Sequence, residues 1–142
     1  MGVVALIQRG MVMPKYTALV TLLALLVYFW LGLNVARARG KYGIKVPAIT
    51  GNPDFERVLR VQMNTLEWMP IFLPALWLFA IYVSDPIAAL LGLVWIAGRI
   101  TYMFAYAEAA QKRGTGFAIQ AFATFALLIG AAIAILLRIV HG

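Results

Sequence analysis

Apolar residues run along this chain in four long, nearly unbroken stretches rather than in alternation. Residues 16–35 carry no charged side chain, residues 65–83 carry only Glu67, residues 86–106 carry only Arg99, and residues 117–137 carry none. Each stretch is about 20 residues long, the length a helix needs to cross the hydrocarbon core of a bilayer. A membrane barrel would instead alternate polarity in segments of about ten residues. Within lipid a helix satisfies its own backbone, so solidly apolar runs read as helices. The pattern predicts an all-α membrane protein, a four-transmembrane-helix bundle forming a single integral membrane domain over 1–142. Its helices are expected at 16–36, 54–83 (apolar part 65–83), 86–111 and 117–138.

The breakers refine these ends. Gly40, Gly43, Pro47, Gly51 and Pro53 interrupt the longest polar stretch. Asn52-Pro53 is a strong helix start, with Asn as N-cap and Pro in the first helical position. Asp54 and Glu56 then suit the positive end of the helix dipole. The second helix should therefore begin near Pro53, well before its apolar run, and Pro70 and Pro74 should kink it. Ser84-Asp85-Pro86 leaves room only for a tight turn, and Gly114-Thr115-Gly116 should separate the third helix from the fourth. Residues 1–10 are too short and too weakly apolar for a secretory leader. Leu6 stands where a myristoylation signal wants Ser or Thr. Met11 and Met13 are candidate alternative starts, since Met13-Pro14-Lys15 abuts the first span.

Composition agrees with lipid as the solvent. The chain is 64% hydrophobic and 12% charged, against about 45–50% and about 25% for soluble domains. The net charge of +7 would suggest nucleic acid in a soluble protein, but here its distribution points to topology, and no nucleic-acid partner is expected. Arg37, Arg39, Lys41, Lys45, Arg57, Arg60, Lys112 and Arg113 fall on one side of the bilayer, and Arg9, Lys15 and Arg138 on the other. The positive-inside rule then puts both long loops in the cytoplasm and the N- and C-termini on the non-cytoplasmic side of a multi-pass protein, in a bacterial inner membrane or the endoplasmic reticulum. There is no cysteine, and the single histidine is His141. No disulfide and no metal site is expected, and any thiol chemistry must use a thiol that arrives with a co-substrate.

Several polar residues interrupt the apolar runs. Glu56, Arg60, Asn64 and Glu67 share one face of the second helix, while Gln62 points nearly opposite. Polar groups on two faces cannot all look into one subunit's core, so some should meet a neighbouring subunit. Arg99, Tyr102 and Tyr106 share one face of the third helix, and Arg113 continues that stripe if the helix persists. Charges inside a span are expensive and pair or line a wet cavity. Taken singly, each signal has a structural reading. Glu67 and Arg99 can form an ion pair between helices, with Asn64 and Gln62 as interhelical glue. The tyrosines can be an interfacial belt, Arg113 a topogenic charge, and 54–60 a solvated helix start. Taken together, they describe a pocket for a small zwitterion near one membrane face. Arginines bind carboxylates as rigid forks, and a glutamate suits an ammonium. Glutathione fits this description, as do other peptides and anionic lipids.

The stretch from Asp54 to Pro70, DFERVLRVQMNTLEWMP, resembles the signature of the MAPEG family, the membrane-associated proteins in eicosanoid and glutathione metabolism. The family pattern is approximately F-E-R-V-x-R-A-Q-x-N-x-x-E-x-x-P. Phe55, Glu56, Arg57, Val58, Arg60, Gln62, Asn64, Glu67 and Pro70 match it, and Val61 departs from the usual Ala. The likeness extends through the Pro47 to Gly51 approach, Arg99, Tyr102, Tyr106 and Arg113, covering about 35–113. It implies a homotrimer of four-helix subunits with glutathione between neighbours near the cytoplasmic face. By that resemblance Arg60, Gln62, Asn64, Glu67, Arg99, Tyr102 and Tyr106 line the glutathione site, Arg39 meets a glutathione carboxylate, and Arg113 is the catalytic residue that stabilises the thiolate. Members that make leukotriene C carry a second arginine after the position of Arg39, where this chain has Gly40, and a tyrosine where it has Trp68. The family's generic microsomal glutathione transferases are the nearer match.

The resemblance implies a transferase with glutathione as co-substrate and no metal. It would conjugate the thiol to lipophilic electrophiles arriving from the bilayer, a detoxification chemistry, and would reduce lipid hydroperoxides with the same thiolate. The rival readings are a non-catalytic scaffold that binds membrane lipid, as the family's lipoxygenase-activating members do, and an accessory subunit with purely structural polar residues. Retention of Arg113 together with the tyrosines favours the enzyme.

Overall fold

A computed structural model describes residues 13–141. It contains four long helices: α1 (Lys15–Tyr42), α2 (Pro53–Tyr82), α3 (Asp85–Glu108) and α4 (Gly114–His141), with a 3-10 turn at Ala110–Arg113 between the last two. All four are long and apolar enough to cross a membrane. Arg9 and the reading of residues 1–10 lie outside the described residues.

Local chemistry explains the ends. α1 stops where Gly43 takes up a left-handed conformation (φ 66°), which glycine adopts without a Cβ clash. The N–H groups of Gly43 and Ile44 both return to the carbonyl of Arg39. The expected cap of α2 is present: the Asn52 side chain accepts from the N–H of Asp54 at 2.9 Å and of Phe55 at 3.2 Å, with Pro53 as the first helical residue. Glu56 reaches back to the N–H of Gly51 at 3.0 Å. Pro70 and Pro74 lie inside a continuous helix. Each removes one N–H from the ladder, and the residues around them, Met69, Phe72, Ala75 and Leu76, are held in the buried core.

Four ends differ from the expected ones by more than one residue, among them that of α4, which runs to His141, past 138. α3 ends at Glu108 rather than at 111, because Ala109 is extended (φ −158°, ψ 134°) and breaks the ladder. α4 begins at Gly114, so the Gly-Thr-Gly segment opens this helix and does not stand between helices. α1 runs on to Tyr42, past 36.

Two tertiary devices place the helices. Asp85, the first residue of α3, accepts from the N–H groups of Tyr16 and Thr17 at 3.1 and 2.8 Å. One carboxylate thus caps the start of α1 while sitting in the first turn of α3, where two positive helix ends meet. At the other end, α3 and α4 pack backbone to backbone. A Cβ on Gly98 would lie 2.7 Å from the backbone N of Gln120, and one on Gly116 would collide with the backbone of Tyr102. The main core joins all four helices around Phe72, Leu76, Trp95 and Leu127, with the Phe72 and Trp95 rings stacked at 4.0 Å. A smaller cluster of Leu31, Val61, Tyr102, Met103 and Tyr106 packs beside it, nearer the end where α1 and α3 finish and α2 and α4 begin.

Candidate functional site

Arg99 is the organising residue. It is 1% exposed, so its charge must be met by protein. One guanidinium nitrogen, Nη1, donates to Asn64 Oδ1 at 3.1 Å, and Nη2 donates to Thr65 Oγ1 at 2.7 Å. The guanidinium also lies 4.4 Å from the centre of the Tyr102 ring. Its Nε has no partner within the described residues.

Arg99 does not bond Glu67. Asn64 stands between them, accepting from Arg99 through Oδ1 and donating through Nδ2 to Glu67 Oε2 at 3.2 Å. Glu67 Oε1 in turn accepts from Arg60 at 3.5 Å. The direct interhelical ion pair is therefore replaced by a relay, Arg99–Asn64–Glu67–Arg60. Helical phase explains the difference: Thr65 is buried against α3, whereas the Arg60 and Glu67 side chains are each 52% exposed on the outer surface.

Tyr102 and Tyr106 are both buried, with rings stacked 5.5 Å apart. Arg113 lies 5.8 Å over the ring of Tyr106. It does not get there by continuing the α3 stripe, since the helix ends at Glu108. The extended Ala109 and the 3-10 turn re-aim the chain, and Lys112 is drawn off to its ion pair with Glu108. Arg60, Asn64, Tyr102, Tyr106, Arg113, Gly114 and Phe117 line one open cleft of about 360 Å³. Phe117 meets Trp68 edge to face at 5.5 Å, so one wall is aromatic and the rest polar.

Seven of the expected residues thus converge: Arg60, Asn64, Glu67, Arg99, Tyr102, Tyr106 and Arg113. Two stand apart within the subunit. Gln62 donates from Nε2 to the Tyr28 hydroxyl of α1 at 2.9 Å. It therefore finds a partner within its own chain, and the argument that two polar faces require a second subunit now rests on the Arg60–Glu67 face alone. Arg39 donates to the carbonyl of Ala48 at 2.7 Å and lies 4.9 Å over the Phe55 ring, tying the end of α1 to the loop before α2. The sequence reading missed Thr65, Gly114 and Phe117. Thr65 follows Asn64 directly but looks like an ordinary helix residue until α3 is placed against it.

The MAPEG family model matches residues 17–133. An uncharacterized protein of Synechocystis is 55% identical over 121 residues, covering 85% of this chain and 88% of that protein. Microsomal glutathione S-transferase 2 of Homo sapiens is 46% identical over 100 residues, covering 70% of this chain and 68% of that protein. Leukotriene C4 synthase of Rattus norvegicus is 37% identical over 133 residues, covering 92% and 89%.

Proposed function

The chain belongs to the MAPEG family, and on that premise we propose that it is a membrane-bound glutathione transferase. The observation that carries this reading is the cleft of Arg60, Asn64, Tyr102, Tyr106 and Arg113 joined to the Arg99–Asn64–Glu67–Arg60 relay. It offers three guanidinium groups, one carboxylate, an amide and two phenols, and the chain has no cysteine of its own. That donor set complements a tripeptide with two carboxylates, one ammonium and a thiol. Glutathione supplies the nucleophilic sulfur, and the protein supplies position and charge.

The roles follow from the geometry. Asn64 is fixed from both sides, so it holds Glu67 in orientation for an ammonium. Arg60, which lines the cleft, is suited to carboxylate or peptide oxygens, and buried Arg99 holds Asn64 in place from behind. Arg113 is a fixed cation, because a guanidinium stays protonated. A thiol has an ordinary pKa near 8.5, and each unit of lowering corresponds to about 1.4 kcal/mol in favour of the thiolate. Gly114, which lines the cleft, begins α4, so a positive helix end adds to that charge. The aromatic wall of Phe117 and Trp68 gives a lipophilic electrophile an approach from the bilayer.

Half-exposed Arg60 and Glu67 on the outside of an apolar bundle support a further element of the reading, a homotrimer in which a neighbour covers this face and contributes Arg39 and Gln62 to the shared site. Uncovered charge at membrane depth would be costly. The excess of Lys and Arg in the two long loops supports an orientation with these loops in the cytoplasm and both termini outside.

The experiment is spectroscopic. Purified protein mixed with glutathione at neutral pH should show the ultraviolet absorbance of a thiolate and should conjugate an apolar aryl halide. Tight glutathione binding with neither signal would support the non-catalytic scaffold instead.

A further inference from the structure

On the side of the bundle formed by α1, α2 and α3 lies a second cleft, of about 240 Å³. It shares no lining residue with the cleft that holds Arg113. Trp30 and Leu31 of α1, Val61 of α2, and Met103 and Phe104 of α3 form its walls. Asn34 is the polar residue at its rim. Asn34 Oδ1 accepts from Arg37 Nη1 at 3.1 Å, so a guanidinium is tethered to a residue that lines the apolar slot. Lys41 follows one helical turn after Arg37 on the same side of α1. Both cations are exposed, and among the described residues neither has a carboxylate within ion-pair distance.

The end of α1 could use cations simply to balance its dipole or to orient the span. Neither role needs an apolar slot beneath them, nor an asparagine holding one guanidinium over it. Phe104 is 64% exposed and Trp30 38% exposed on this surface. An open slot at this depth is filled by whatever the membrane provides, which is hydrocarbon. Charge complementarity then selects the head group: two unpaired cations at the mouth call for an anion, and Arg37 keeps several N–H donors beyond the one given to Asn34.

We propose that this cleft is a binding site for an anionic phospholipid. One acyl chain lies between Trp30 and Phe104, and the phosphate is held by Arg37 with Lys41 beside it. The site is separate from the glutathione cleft, sharing none of its lining residues. Since Met103 lines this cleft and its neighbour Tyr102 lines the other, a bound lipid also buttresses the α3 segment that carries the reactive site.

Brominated acyl chains test it, because bromine quenches tryptophan fluorescence on contact. The full chain is reconstituted with mixtures containing brominated phosphatidylglycerol or brominated phosphatidylcholine. The Trp30 component is the difference between the wild type and Trp30→Phe. Phosphatidylglycerol should quench it at lower mole fraction than phosphatidylcholine, and that preference should fall about fivefold for each of Arg37→Gln and Lys41→Gln. Ala107→Phe, which fills the slot from the α3 side, should reduce quenching by both lipids. Glutathione binding by every variant serves as the check on folding. Equal quenching by the two lipids, or a preference that survives in the double Arg37→Gln, Lys41→Gln variant, overturns the proposal. So does a Trp30 component that neither lipid quenches while Ala107→Phe splits the oligomer, since a second copy of the chain would then occupy the slot.

Discussion

Glu67 and Arg99 are the two charges inside the apolar runs, and they have different fates. Arg99 is buried and forks between Asn64 and Thr65, whereas Glu67 stands half exposed beside Arg60. Removing the Glu67 charge should therefore affect the fold little and the ligand more. Glu67→Gln keeps an acceptor for Asn64, and glutathione affinity is expected to fall by about 1–3 kcal/mol, measured by titration calorimetry. Unchanged affinity together with a dissociated oligomer would mean that Glu67 serves assembly instead. Arg113 admits a sharper comparison, because its neighbour is also a cation. Arg113→Ala should lower turnover at least tenfold, about 1.4 kcal/mol of barrier, with a smaller change in glutathione affinity, since other residues hold the peptide. Arg113→Lys should keep part of the rate, as a point charge replaces the fork. Lys112→Ala should be silent, because Lys112 is engaged with Glu108 on the surface. Equal losses from the two alanine variants would remove the special role of Arg113.

Among the elements, the α3–α4 contact governs the site. Gly116 presses its bare backbone against Tyr102, the residue on which Arg99 leans. Any Cβ there must push the helices apart, a form of overpacking that costs about 1–3 kcal/mol. Gly116→Ala should lower the thermal midpoint in detergent and weaken glutathione binding at the same time, because Tyr102 moves with α3. Gly40→Ala is the control: it lies inside α1 with nothing within 4 Å of an added Cβ. It should be neutral or stabilising by about 0.5–1 kcal/mol, as expected for glycine replaced within a helix. A Gly116→Ala protein with unaltered melting and binding would show that the two helices do not set the position of Tyr102.

The whole molecule presents a polar face where lipid would otherwise lie. Arg60 and Glu67 pair on the outside of the bundle, and Gln62, which could have shared this burden, is taken by Tyr28. A trimer in native mass spectrometry is the expected state, and the Arg60–Glu67 face is where its subunits should cross-link. A monomer that still binds glutathione would sink the shared-site proposal. The orientation can be checked on the same preparation: a reporter active only in the cytoplasm, fused after Gly142, should be silent.

Hydropathy by itself determined that the chain has four apolar helices, because roughly 20 uncharged residues in lipid have no other way to satisfy their backbone. The start of α2 was equally legible, since Asn52, Pro53 and Glu56 act on their own neighbours and need no tertiary partner. So was the convergence of Arg99, Tyr102 and Tyr106, which one helical period brings to one face. What faces what across helices was not legible. Arg99 finds Asn64 and Thr65 rather than Glu67 because the rotation of α2 against α3 is set by packing around Val61 and Met103, and nothing local encodes that angle. Arg113 reaches Tyr106 through an extended residue and a 3-10 turn where helical phase had offered a straight continuation. The extended Ala109 ends α3 at Glu108, and the bare backbone of Gly116 lets the first turn of α4 lie against Tyr102 with Gly114 beside the cleft. Such contacts depend on which small residues meet after folding, and a one-dimensional pattern shows the glycines without showing what they touch.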